Sequence, residues 1–298
     1  MANEIVLPEQ TAPRMAARRG RIIAPEIFFI GSAIFHYLGP AFAVLLFSQV
    51  DVLGVAWLRI ASAAAAFAIW KRPWRLFAQL NGSERLTVIS LGVVLAIMNI
   101  CFYIAINRLP LATVGTIEFL GPIALAAAGM RTERNLAALV FATGGVFLLT
   151  KVRLGGEPVG YFFAFANCAL FVLYILLGHR IAGHGGRGGV ERLAIAMAVA
   201  MIVVSPIGLR SASAAFLDPK LLLAGAGVGV CSSVIPYICD QFAMAQLSKA
   251  TFALLLSLLP ATACVIGIVV LRQIPSLSEL AGIGAVIVGV ALKRTGGD

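Results

Sequence analysis

The sequence predicts an all-α polytopic membrane protein: ten transmembrane helices built as two inverted five-helix repeats, with both termini cytoplasmic. Three observations carry that prediction. Of the 298 residues, 60% are hydrophobic and only 12% charged, and the mean hydropathy is +0.98; a soluble domain carries roughly 25% charged residues to cover its surface. The apolar residues gather into ten stretches, centred near residues 37, 61, 95, 120, 141, 169, 200, 231, 261 and 284, each near the length of about 20 residues that crosses a bilayer. The last five stretches also echo the first five in order. A transmembrane barrel would show alternation over segments of roughly ten residues, and the chain does not.

Charge fixes the orientation. With the amino terminus in the cytoplasm, sixteen basic residues fall inside: Arg14, Arg18, Arg19, Arg21, Lys71, Arg72, Arg75, Arg85, Arg131, Arg134, Arg180, Arg187, Arg192, Lys249, Lys293 and Arg294. Six fall outside (Arg108, Lys151, Arg153, Arg210, Lys220 and Arg272), and Arg59 stays within a span. The net charge of +10 therefore reports the positive-inside rule and not a nucleic-acid partner.

Taken in order, residues 1–23 are polar and read as a cytoplasmic disordered tail. The following "IFFIGSAIFHYLGPAFA" (27–43) has a basic region before it, as a signal peptide would, but with nine more spans behind it reads as an uncleaved first helix. In this span Ser32, His36 and Pro40 recur every four residues. The second span holds Arg59. Gly92, Ala96, Asn99 and Tyr103 share a face of the third, and Gly115, Glu118 and Pro122 a face of the fourth. Residues 24–152 thus form the first repeat and 153–294 the second, followed by a cytoplasmic tail, 295–298. The sixth span carries Asn167 and Tyr174 two turns apart. "GHRIAGHGGRGG" (178–189) is Gly-rich, lacks the GxxxxGK[ST] pattern of a phosphate-binding loop, and reads as a flexible linker. In the eighth span Gly225, Gly229, Ser233, Pro236 and Asp240 make one stripe; Ser257 and Pro260 lie together in the ninth.

The repeat itself rests on three collinear matches: "LPLATVGTIEFLGP" (109–122) with "LSKATFALLLSLLP" (247–260), "LRIASAAAAFAIWKRP" (58–73) with "ERLAIAMAVAMIVVSP" (191–206), and "LAALVFATGGV" (136–146) with "LAGIGAVIVGV" (280–290). Five spans is an odd number, so the second half enters the membrane from the opposite side. That is the inverted construction of secondary transporters, which place a site near the midplane between halves.

A charge within a bilayer costs about 2.5 kcal/mol or more, so the polar residues inside spans define the candidate substrate cavity: His36, Asn99, Tyr103, Glu118, Asn167, Tyr174, Ser233, Asp240 and Ser257. Pro40, Pro122, Pro236 and Pro260 are expected to break their helices, which is tolerated where backbone faces protein or a wet cavity. Two roles stay open for Glu118. It is a cavity carboxylate that exchanges protons, or the partner of Arg59 in a structural ion pair. Both lie ~12 Å into their spans at ~1.5 Å per residue. The histidines are scattered and the five cysteines lack CxxC spacing, so neither a metal site, a cofactor nor an enzyme's catalytic group is expected.

On these residues the chain resembles the drug/metabolite transporter superfamily, specifically its EamA-domain exporters. Within them it is similar to the bacterial threonine/homoserine exporters, through "TIEFLGP" (116–122) and "SSVIPYICDQFAMAQLSKATFALLLSLLP" (232–260). It departs from that pattern at Leu259 and Gln273, where acidic residues are expected. The resemblance implies export of threonine/homoserine-like or other neutral or aromatic amino acids across the bacterial inner membrane. The route is alternating access through a central cavity, with protons as a candidate coupling ion and the lipid bilayer as surroundings. A sugar-phosphate or nucleotide-sugar carrier, a hydrophobic-drug transporter and a membrane-embedded enzyme are the alternatives.

Overall fold

Residues 25–128, 157–247 and 259–292 are described in the computed structural model, with scattered positions within 133–148 and at 249, 252 and 256. The tails expected at 1–23 and 295–298, most of the span centred near 141, and Ser257 lie outside the described residues. Those described are mainly helical, with α1 (Pro25–Leu46), α2 (Val52–Lys71), α3 (Gly82–Ile106), α4 (Leu111–Ala128), α5 (Pro158–Ala182), α6 (Gly185–Ser211), α7 (Pro219–Met244), α8 (Leu259–Leu271) and α9 (Leu277–Leu292), and short unnumbered helices at Pro73–Gln79 and Ser213–Leu217. Helices α2, α3, α5, α6 and α7 are each long and apolar enough to cross a membrane, and Ile30–Leu46 and Thr262–Leu271 are shorter apolar segments.

Local chemistry sets the ends. The Asp51 side chain accepts from the Leu53 amide and starts α2. That helix stops at Arg72, which takes the left-handed conformation (φ 47°) ahead of Pro73, a residue that disfavours helix in its predecessor. Asn81 and Glu84 form a reciprocal capping box at the start of α3. Asp218 caps α7 ahead of Pro219, which has no N–H to leave unsatisfied. Gln273 accepts from the first amide of α4, that of Leu111, at 3.2 Å. The neutral amide at this departure from the acidic pattern therefore serves as a cap. The segment 178–189 is not the flexible linker its composition implies. It completes α5, turns at Gly183 and His184, and starts α6 at Gly185, whose φ of +81° suits glycine.

The helices pack across the two halves of the chain: α3 on α5, α1 on α7, α2 on α6, α4 on α8, α3 on α6, α2 on α7, α4 on α5 and α1 on α8. Exchanging α1–α4 with α5–α8 in order maps this set of pairings onto itself. Close approach is secured by glycine. A Cβ on Gly92 would lie 2.6 Å from the Ala196 carbonyl oxygen, on Gly39 2.3 Å from the Ser232 Cβ, and on Gly229 2.6 Å from the Arg59 carbonyl oxygen.

Gly229→Ala should therefore destabilise the protein by about 1–3 kcal/mol, the range of overpacked cores. Gly227, with open space around it, should gain slightly as Ala through helix propensity. Thermal melting of both variants in detergent checks the opposite signs.

Candidate functional site

The polar side chains of α1, α2, α4, α5 and α7 converge where the two halves meet. There His36, Arg59, Met98, Phe102, Glu118, Asn167 and Tyr237 enclose a space of about 10 Å³, close to the volume of one water probe. Glu118 is 2% exposed. Its Oε2 accepts from the Tyr37 hydroxyl at 3.1 Å and its Oε1 from Asn167 Nδ2 at 2.8 Å, while His36 Nε2 lies 3.7 Å from Oε2. Asp240, equally buried, accepts from Ser32 Oγ and from the Tyr174 hydroxyl at 2.7 Å. The Tyr174 ring packs between those of Phe171 and Tyr237.

Arg59 is buried across the same space. Its Nε donates to Ser233 Oγ at 2.8 Å and its Nη2 to the Ser232 carbonyl at 2.9 Å. The Tyr237 hydroxyl lies 3.4 Å from Nη2, and the Tyr103 ring centroid lies 5.5 Å from the guanidinium carbon. The backbone explains the docking point. Pro236 has no N–H to offer the Ser232 carbonyl four residues earlier. The helix widens into a π turn over Val230–Val234, and the released oxygen faces Arg59. Such turns recur at functional sites.

Arg59 and Glu118 thus face one space without forming the expected ion pair, because neutral groups of the other half hold each: Ser232 and Ser233 for Arg59, Asn167 for Glu118. His36, Glu118 and Asn167 border the space; Tyr103 and Ser233 touch Arg59 and Tyr174 touches Tyr237, while Asp240 lies behind Ser32 and Tyr174. Asn99 serves elsewhere: its Nδ2 donates to the Ala56 carbonyl at 2.9 Å and ties α3 to α2. Of the four prolines expected to break helices, Pro40 and Pro122 lie inside continuous helices, since packed neighbours stabilise the interrupted ladder. Pro260 lies beside residues outside the described ones, and Pro236 adjoins the π turn. Tyr37, Ser32 and Tyr237 complete the site. A sequence signal was available for the first two: Ser32 shares the His36 stripe and Tyr37 adjoins it.

Two larger recesses flank the centre. One of about 400 Å³ lies between the α3–α4 and α8–α9 turns, lined by Arg108, Thr113 and Gln273 among others. At the opposite end of the bundle, Glu84 accepts from Arg192 at 2.7 Å and meets His184 Nε2 at 3.2 Å, with Lys71 and Glu191 3.8 Å apart nearby. Among the described residues no group of three or more His, Cys, Asp or Glu is placed to hold a metal ion.

Comparison with known proteins bears on what such a site serves. The model of the EamA-like transporter family matches residues 158–294. The threonine/homoserine exporter RhtA of Escherichia coli (strain K12) is 31% identical over 253 residues, 84% of either chain; RhtA of Salmonella typhimurium (strain LT2) gives the same figures. A crystal structure with 16% identity superposes with a TM-score of 0.59 over 90% of this chain and 96% of its own, a likeness of fold.

Tyr174→Phe should leave the buried Asp240 carboxylate with one donor fewer. A lost hydrogen bond to a charged group is worth about 1.5–3 kcal/mol, so the melting temperature in detergent should fall by several degrees.

Proposed function

Because this chain belongs to the EamA-like transporter family of the drug/metabolite transporter superfamily, and is a multi-pass membrane transporter rather than an enzyme, we propose that it exports amino acids. Threonine, homoserine and related small metabolites are the leading substrates, carried out across the bacterial inner membrane by alternating access. The observation that carries this reading is the seam itself. Arg59, Glu118 and Asp240 are buried between the halves, and each is satisfied at least in part by neutral groups from the opposite half. Neutral partners are exchangeable. A substrate carrying its own charges can replace them without leaving an ion stranded in the membrane.

In this reading the chain is two inverted five-helix repeats with both termini cytoplasmic, supported by the half-exchanging set of helix pairings. The Glu84–Arg192–His184 group then closes the cytoplasmic end, and the larger recess opens outside. Glu118 is the proton-coupling candidate: protonated, it holds the seam with no net charge; ionised, it receives a cationic group. The cavity argues against a sugar-phosphate cargo. Phosphate sites gather several Arg or Lys donors, and Arg59 is the one basic Lys or Arg side chain lining the central space among the described residues.

Purified protein in liposomes loaded with labelled threonine, homoserine or aromatic amino acids should release them, and an inward-directed proton gradient should speed release. Glu118→Gln should make flux indifferent to the gradient. Wild-type flux that ignores the gradient would remove antiport and leave facilitated diffusion. An absence of flux for every amino acid would remove the exporter reading.

A further inference from the structure

We propose that the space between Arg59 and Glu118 is a clamp for the α-amino-acid dipole: Arg59 takes the α-carboxylate, while Glu118 and Asn167 Oδ1 take the α-ammonium. The inference rests on the exporter reading and adds which residue holds which end.

The anion end follows from an imbalance. A guanidinium has five N–H donors in a planar fork that matches a carboxylate two-to-two. Among the described residues Arg59 donates to a serine hydroxyl, a backbone carbonyl and a distant tyrosine hydroxyl, and it faces the Tyr103 ring. No hydrogen bond from Nη1 is made to the described residues, and none of their carboxylates lies within salt-bridge distance, since Glu118 and Asp240 are held elsewhere. A buried cation without a contacting anion is strongly penalised, and a ligand carboxylate removes that penalty. The Tyr237 hydroxyl, 3.4 Å from Nη2, stands ready as a further donor to the same ligand oxygens.

The cation end follows from the opposite imbalance. Asn167 is fully buried and donates its amide to Glu118, yet its Oδ1 has no hydrogen-bond partner among the described residues. Buried polar atoms of that kind call for an explanation. An ammonium offers three donors, and Asn167 Oδ1 with the two oxygens of Glu118 makes three acceptors on two residues that line the space. Pro40 and Pro122 follow His36 and Glu118 by four residues, which withholds the helical donor from those two carbonyls as well. Met98 and Phe102 leave the remaining wall apolar, suited to a short side chain. The closed space holds about one water, so the clamp engages when the halves part.

The test is counterflow of labelled L-threonine in liposomes against three competitors: unlabelled L-threonine, L-threonine amide, which lacks the carboxylate, and 2,3-dihydroxybutanoate, which lacks the ammonium. In the wild type both analogues should compete about ten- to a hundredfold more weakly, the worth of a charged hydrogen-bonded contact. Arg59→Gln should erase the preference for threonine over its amide while keeping the preference over the hydroxy acid, and Asn167→Leu should weaken the second preference. A wild type that accepts the amide as well as threonine overturns the clamp without any variant needing to fold. Threonine flux with an unchanged amide preference in Arg59→Gln does the same and leaves the exporter reading standing. Absence of flux for any amino acid defeats the exporter reading instead.

Discussion

A guanidinium buried inside a lipid-surrounded bundle must be solvated by protein, and Arg59 is solvated by a carbonyl that exists for the purpose only because Pro236 cannot fill it. Much else follows from this contact. It needs α2 and α7 close, which Gly229 against the Arg59 backbone and Gly225 against Leu58 permit. It needs the ladder of α7 to widen, which the π turn provides. It needs Ser233 to face α2 and not lipid, which the register shift of that turn supplies. The carboxylates obey the same constraint. Ser32 of α1 and Tyr174 of α5 hold Asp240 of α7, while Tyr37 of α1 and Asn167 of α5 hold Glu118 of α4. Arg59, Glu118 and Asn167 thus both tie the halves together and line the site.

Such a seam is strong against stray water and weak against a matched ligand. Every ion is hydrogen-bonded, so opening the bundle without a replacement exposes unsatisfied charge to a medium of low dielectric. No guanidinium–carboxylate pair locks the centre, so little Coulombic energy opposes replacement. His36 lies 3.7 Å from Glu118 and edge-on to the Tyr37 ring.

The sequence made the helices legible because lipid imposes length and apolarity on every span, and it made Glu118, His36, Asn167, Tyr174, Ser233 and Asp240 legible because polar groups in such spans are conspicuous. Partnerships were less legible. Depth along the membrane placed Arg59 level with Glu118, but depth is one coordinate, and azimuth was decided by a π turn that leaves no signature beyond Pro236 and its serines. Asn99 looked like a cavity residue for the same reason; its amide donates to the backbone of α2. The prolines misled in a regular way. Pro40 and Pro122 remove a hydrogen bond yet leave their helices continuous, because neighbours pack against the gap. The Gly-rich segment 178–189 misled because composition counts glycines, whereas the turn needs positive φ at Gly185 alone.

The alignment of the halves lays Arg59 over Arg192, and the two arginines bridge corresponding helix pairs: Arg59 of α2 reaches α7, and Arg192 of α6 reaches α3. Their partners differ in kind. Arg192 finds Glu84 near the end of its helix, where its Nη2 donates at 2.7 Å to an oxygen that His184 also meets. Arg59 reaches toward the middle of α7 and finds only uncharged oxygen. The two helix pairs hold the same residue type, and among the described residues only one pair sets a carboxylate against it. A cation that already owns its anion closes an end of the bundle; a cation that lacks one leaves room at the centre for an anion that arrives and departs, which is the condition a carrier has to meet.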